Sequence, residues 1–220
     1  MAEALTQKEV VMVICAHNDD HILGVGGTIA KYAKEGAEVV VIILSYGETS
    51  HVWLKESEVI KTRVKESRSA DKILGVSKTF YYGLKEGNFA AEFDDKNIRK
   101  KLTRTISILK PTKIFTHSFD DPHPDHRATY NKVIETVEKS RRNCDVYSFD
   151  VWNPFNIRKR DSPKMVVDVT NTFRLKVKSF ALHKSQWHAR LIMTPAIYAR
   201  GILNGLEHGV RFAEIFYKLK

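Results

Sequence analysis

Residues 10–16 and 39–44 are unbroken apolar runs rich in β-branched side chains, the pattern of strands covered on both faces, as in a parallel sheet. Residues 24–34 leave room for one helix between them, with Gly36 placed to stop it, so the chain opens with a βαβ unit. Ile60, Val64, Ser67, Ala70 and Leu74 recur at helical spacing within 58–74 and Gly75 closes that helix. A strand is predicted over 79–82. Ile98, Leu102, Ile106 and Leu109 form the next stripe, ended before Pro111, and a short strand follows over 113–116. Tyr130, Val133, Ile134 and Val137 mark another helix. Strands are predicted over 146–151 and 165–169, a helix through Phe173, Val177, Phe180 and Ala181, and a last helix over 192–206 despite Pro195. This alternation predicts an α/β fold, Rossmann-like, with a mostly parallel sheet and helices on both faces. The Pro- and Asn-containing stretch 153–163 reads as a surface loop, so residues 1–220 form a single domain.

Composition narrows the class. At 220 residues, with 43% hydrophobic and 28% charged side chains, the chain is globular and neither disordered nor fibrous. Lys and Arg number 36 against 26 for Asp and Glu, a net charge of +10 that suits an anionic partner without deciding the fold. Cys15 and Cys144 lie in apolar stretches as small hydrophobes, which fits a reducing compartment. The longest uncharged apolar runs, 39–47 and 191–199, are far short of a membrane span. Glu3 and Glu9 stand where a signal peptide would be basic. A cytoplasmic protein is expected.

In an open parallel sheet, ligands bind beyond the carboxyl ends of the strands. Two strand ends are unusual there: His17-Asn18-Asp19-Asp20-His21, and the stretch from His117 to His126 containing Asp120-Asp121-Pro122-His123-Pro124-Asp125-His126. Five of the nine histidines lie in these turns. A single such turn reads most simply as helix caps and solvated loop. Two on one sheet edge read differently, because neighbouring carboxylates such as Asp19 and Asp20 repel unless a cation lies beside them. An imidazole and a carboxylate at i and i+3, with an imidazole from the second turn, make three ligands and leave a position open for water.

His17-Asn18-Asp19-Asp20 with His123-Pro124-Asp125-His126 resembles the signature of the PIG-L/LmbE-like de-N-acetylases, zinc hydrolases that remove acetyl groups from N-acetylglucosamine derivatives. Gly26-Gly27-Thr28-Ile29-Ala30, Arg63 to Glu66 with Ala70 and Leu74-Gly75, and Lys184-Ser185-Gln186 resemble further blocks of that family. The resemblance implies that His17, Asp20 and His126 bind Zn2+, that Asp19 is the general base, and that His123 assists the tetrahedral intermediate and leaving amine. It further implies that Asp125 orients an imidazole and that Arg63 contacts substrate. The sequence departs from the family at Asn18, where Pro is usual, and at His21, where Glu is usual; His21 puts the polar contacts beside the metal in doubt.

The residue types suit amide hydrolysis: zinc polarises the carbonyl and acidifies its water, a carboxylate takes the proton, and an imidazole stabilises the oxyanion. The expected substrate is a small N-acetylglucosaminide. Neither a nucleic-acid partner nor a membrane span is expected, and a homo-oligomer is left open. Gly24-Val25-Gly26-Gly27 fails the dinucleotide fingerprint, having Ile29 at its sixth position. Lys100-Lys101, Arg141-Arg142 and Arg158-Lys159-Arg160 read as solvated surface. Two rivals remain: a non-haem Fe(II) oxygenase, since two His and one carboxylate also make a facial triad, and a metal-stabilised anion-binding module. The module would keep its binding after Asp19→Asn, whereas the enzyme would lose turnover.

Overall fold

The computed structural model describes residues 8–50, 53–140, 142–152 and 161–220. In chain order the elements are β1 (Val10–Cys15), α1 (Asp20–Lys34), β2 (Glu38–Ser45), α2 (Glu56–Leu74), β3 (Lys78–Leu84), α3 (Phe89–Asp95) and α4 (Ile98–Leu109). There follow β4 (Lys113–His117), α5 (Pro124–Ser140), β5 (Asp145–Phe149), β6 (Lys164–Asp168), α6 (Phe173–Phe180), α7 (Trp187–Glu207) and β7 (Ala213–Lys218).

The sheet runs β3-β2-β1-β4-β5-β7-β6. The first five strands pair in parallel, and β7 is antiparallel to both β5 and β6. The chain moves outward from β1 through β2 to β3, then returns to β4 on the other side of β1. The β1–β4 pair is therefore the topological switch point, where the crossovers diverge and leave a crevice at the carboxyl ends.

Side chains of β1 alternate between two cores. Val11, Val13 and Cys15 pack with Ile22, Val25 and Ile29 of α1 and with Phe180 of α6. Met12 and Ile14 pack with Phe93, Leu102, Ile106 and Val133 from α3, α4 and α5. Each fully buried side chain of this size contributes about 1.5–3 kcal/mol, so strands covered on both faces have no alternative register that keeps their apolar set buried. Gly24 brings α1 onto the sheet: a Cβ there would stand 2.2 Å from Cδ2 of Phe149.

The mostly parallel α/β fold expected from the sequence is present, with differences at its margins. The first helix begins at Asp20, not at residue 24, because the Asp19 carbonyl already accepts the N–H groups of Ile22 and Leu23. Likewise α5 begins at Pro124, whose missing N–H costs nothing in a first helical turn. The short α3 and the strand β7 were not expected. Residues 153–160 of the expected surface loop, along with His51, Arg141 and the basic triplet 158–160, lie outside the described residues. Among the described residues no helix is long and apolar enough to cross a membrane.

Candidate metal centre

The turn after β1 and the turn after β4 meet at the switch point because their strands are hydrogen-bonded neighbours. Asp20 opens α1, and its Oδ2 accepts the backbone N–H of His17 at 2.7 Å, which folds the first turn onto itself. His126 lies in the first turn of α5. His17 Nδ1 is 3.4 Å from Asp20 Oδ2 and 3.3 Å from His126 Nε2, and His126 Nε2 is 3.3 Å from Asp20 Oδ1. Donors bound to one tetrahedral zinc at its usual bond length stand about 3.3–3.4 Å apart. All three residues are buried, and as a group they can hold a metal ion.

Electrostatics point the same way. Burial opposes charge on His17 and His126, yet the surrounding carboxylates prevail: Asp125 and Asp20 raise His17 to about 10, and Asp20 and Asp121 raise His126 to about 9. Burial would raise Asp20, but His126 and His117 hold it well below the usual carboxylate range. Without a metal, protons on imidazoles supply the positive charge this cluster demands.

Around these three lies a supporting ring. Asp121 Oδ1 sits 3.0 Å from His126 Nδ1, the position from which a carboxylate fixes a ligand's tautomer. His126 and burial bring Asp121 to about 2, burial acting to raise it and His126 to lower it. His117 Nε2 accepts the N–H of Ala16 at 3.0 Å and stacks on His126 with centroids 3.9 Å apart. Burial, then the charge on His126, lowers His117 to about 4.

Asp19 occupies the N-cap position of α1, but its carboxylate makes no capping bond. It faces the cleft and lies 3.6 Å from Arg63 Nη2. Arg63, on α2, is buried; its Nη1 donates to the carbonyl of Gly47 at 2.9 Å, and its Nε has no protein partner. A Cβ on Gly47 would stand 1.9 Å from that Nη1, and φ is +67° there, so glycine is required for the arginine to reach the cleft. His123 also lines the cleft. Its Nδ1 accepts the N–H of Asp125 at 3.2 Å, so the hydrogen of the neutral ring is on Nε2. Burial, and then the charges of His17 and His126, lower its pKa. Asp125 therefore does not orient His123 through its carboxylate. Its Oδ2 lies 3.4 Å from His17 Nε2 and accepts the N–H of Gly87.

His21 is turned away from this cluster. Its Nε2 lies 2.8 Å from Asp71 Oδ1 on α2, whose other oxygen accepts the Thr79 hydroxyl at 2.7 Å. The histidine thus ties the first turn of α1 to α2 and β3. Asn18 is fully buried, with neither amide atom hydrogen-bonded; nothing in the structure explains its presence. Sequence reasoning missed Glu86, whose Oε1 lies 3.5 Å from His17 Nε2. It stands just beyond β3, which runs two residues further than expected, and a reading of that strand's true end would have found it. Trp152, Gln186 and Met193 complete the cleft from the opposite side.

A sequence model of the family described as PIG-L, GlcNAc-PI de-N-acetylase, matches residues 12–137, a span that contains both turns. The chain belongs to that family. It is 25% identical to the diacetylchitobiose deacetylase of Thermococcus kodakarensis, over 96% of this chain and 84% of the relative. It is 26% identical to the 4-oxalmesaconate hydratase of Pseudomonas putida, over 90% and 81%. The solved structure of N,N'-diacetylchitobiose deacetylase from Pyrococcus horikoshii superposes with a TM-score of 0.80 at 24% identity, covering 97% of this chain and 84% of that one, which shows a shared fold.

Proposed function

We propose that the protein is a zinc-dependent hydrolase that removes the acetyl group from a small N-acetylglucosamine-containing substrate. The observation that carries this reading is the trio His17, Asp20 and His126, with donor atoms 3.3–3.4 Å apart beside Asp19 in one cleft. Their nitrogen and carboxylate donors suit zinc, which when bound polarises the amide carbonyl and acidifies water.

The remaining work falls to this chain's own groups. Asp19, held near Arg63 rather than spent on capping, takes a proton from the attacking water. His123 offers its Nε2–H to the carbonyl oxygen as negative charge develops there. Because its surroundings disfavour a second proton, Asp19 is the better source of the hydrogen returned to the amine. Asp125 and Asp121 hold the rings of His17 and His126, and the free Nε–H of Arg63 suits a sugar hydroxyl. The cleft, about 120 Å³, takes about four water-sized groups, which matches the four heavy atoms of an acetamido group and leaves the sugar at the mouth near Trp152.

A cytoplasmic location is part of this reading, supported by the free, buried Cys15 and Cys144. Homo-oligomerisation is another, supported by the outer face of α7, where Trp187, Leu191 and Leu206 are 55%, 70% and 72% exposed.

Hydration of a small unsaturated acid is the second reading, favoured by the identity to the Pseudomonas putida hydratase. Both chemistries need activated water, but only hydrolysis releases an amine. The deciding assay offers N-acetylglucosaminides (a chitin disaccharide, a thiol-cofactor precursor, an inositol glycoside) and 4-oxalmesaconate to one preparation of measured metal content. Equal release of amine and acetate with zinc present is expected. Water addition without any amine release would replace deacetylation by hydration, and iron with oxygen consumption would favour the oxygenase.

A further inference from the structure

The centre described above uses only one nitrogen of His17. The other, Nε2, is buried without a hydrogen-bond partner in a residue that is 6% exposed. Glu86 Oε1 and Asp125 Oδ2 approach it at 3.5 and 3.4 Å. The ring of His123 stands edge-on to that of His17 with centroids 5.0 Å apart. One ligand atom from each of His17, Glu86 and His123 lies within 4.8 Å of the others. Each partner has its second donor occupied. Glu86 Oε2 accepts the backbone N–H and the hydroxyl of Thr49, and His123 Nδ1 accepts the Asp125 N–H. That leaves Glu86 Oε1 and His123 Nε2 for a shared ligand.

We propose that His17 Nε2, Glu86 and His123 form a second, weaker divalent-cation site, bridged to the first through the His17 ring, and that filling it inhibits the enzyme. The site rests on the reading of His17 Nδ1 as a ligand of the first metal. Two imidazoles and one carboxylate repeat the donor set of the first centre, so the same class of metal, Zn2+ above all, suits both. Three features make the second weaker. Its donors are spaced more widely, Glu86 and His123 are only partly buried, and two divalent cations on one ring repel. Binding forms the Nε2–metal bond and breaks Nε2–H, whose proton leaves to bulk water. Inhibition follows because the cation occupies the His123 nitrogen that would otherwise face the oxyanion, and stands in the cleft where the acyl group must enter.

The test is equilibrium dialysis of the zinc-stripped full chain against rising Zn2+, with bound metal counted and turnover followed in parallel. Wild type should bind one equivalent, then a second at a concentration at least about ten-fold higher; turnover should rise with the first and fall with the second. Glu86→Gln should keep the first equivalent, lose the second, and need at least about ten-fold more zinc for inhibition. His123→Gln, read by stoichiometry alone, should also stop at one. Wild type saturating at one equivalent, or a second equivalent untouched by both substitutions, would overturn the proposal. Binding of no equivalent at all would overturn the first centre, and the second with it.

Discussion

Two groups of buried charge lie along α1, and they are built on opposite plans. Beside the second turn of the helix, Lys176 Nζ meets Glu214 Oε1 at 2.6 Å, while the two Glu214 oxygens also accept the N–H groups of Gly27 and Thr28. The charges cancel and the carboxylate is fully engaged. At the start of the helix, Asp20 gathers His17, His117 and His126, and His17 Nε2 remains without a hydrogen-bond partner. The first group is complete within the chain; the second is complete only with cations drawn from solution. A closed ion pair holds structure under any conditions, whereas an open one answers to metal and pH.

Substitutions should expose that contrast most strongly at the open group. Asp20→Ala removes a ligand, so bound metal, turnover and the zinc-dependent rise in Tm should all fall together. Asp19→Asn should keep the metal and lower kcat by roughly 10² to 10⁴-fold, the usual worth of a general base. Metal analysis of the two variants separates ligand from base; metal lost from Asp19→Asn but kept by Asp20→Ala would mean that the two carboxylates exchange roles.

At the closed group the expected loss is of stability. Lys176→Met strands Glu214 in the interior and should cost about 3–5 kcal/mol in urea unfolding, with most of it recovered in the Lys176→Met, Glu214→Gln double variant. Metal content per folded molecule should not change. A loss of bound zinc in the single variant would show that the two groups are coupled through α1.

The smallest effect is on pH dependence. His17 and His126 have folded pKa values of about 10 and about 9 against an ordinary 6.5. Their contribution to the stability of the metal-free protein is complete below about pH 6.5 and is lost as pH rises through about 9 to 10. Asp121, lowered from 3.8 to about 2, contributes above its ordinary value and loses that contribution as pH falls through about 2. Chelator-treated protein should therefore melt at lower temperature at pH 10 than at pH 6. Zinc, which needs unprotonated imidazoles, should flatten that decline; parallel curves with and without zinc would contradict the assignment of these rings.

Much of this was legible in the chain because the relevant signals are local. The stripe Ile98, Leu102, Ile106, Leu109 predicts the observed bounds of α4, and the two metal-rich turns are contiguous stretches whose strands are buried β-branched runs. What escaped has other origins. The seven residues of α3 are too few for a helical period to show, and β7 mixes Glu214 and Lys218 with apolar residues in a way no alternation reveals. Glu86 reaches the centre through the end of β3 and its contacts with Glu48 and Thr49, a tertiary arrangement that spacing does not encode. His21 shows the reverse case: the sequence flags the departure, but only the structure reveals Asp71 as its partner.

The place of β7 has a consequence for biosynthesis. It lies between β5 and β6 and pairs with both, yet it is translated after every other strand. Until then, the nascent chain carries an open edge on β5 and an unpaired β6, both templates for a neighbouring polypeptide. Glu214, which anchors Gly27 from 187 positions away, is also missing from α1 during that interval. Maturation of the ligand-bearing helix thus waits on the late insertion of one strand, and chaperone engagement during synthesis is the stage at which this protein is most exposed to misassembly.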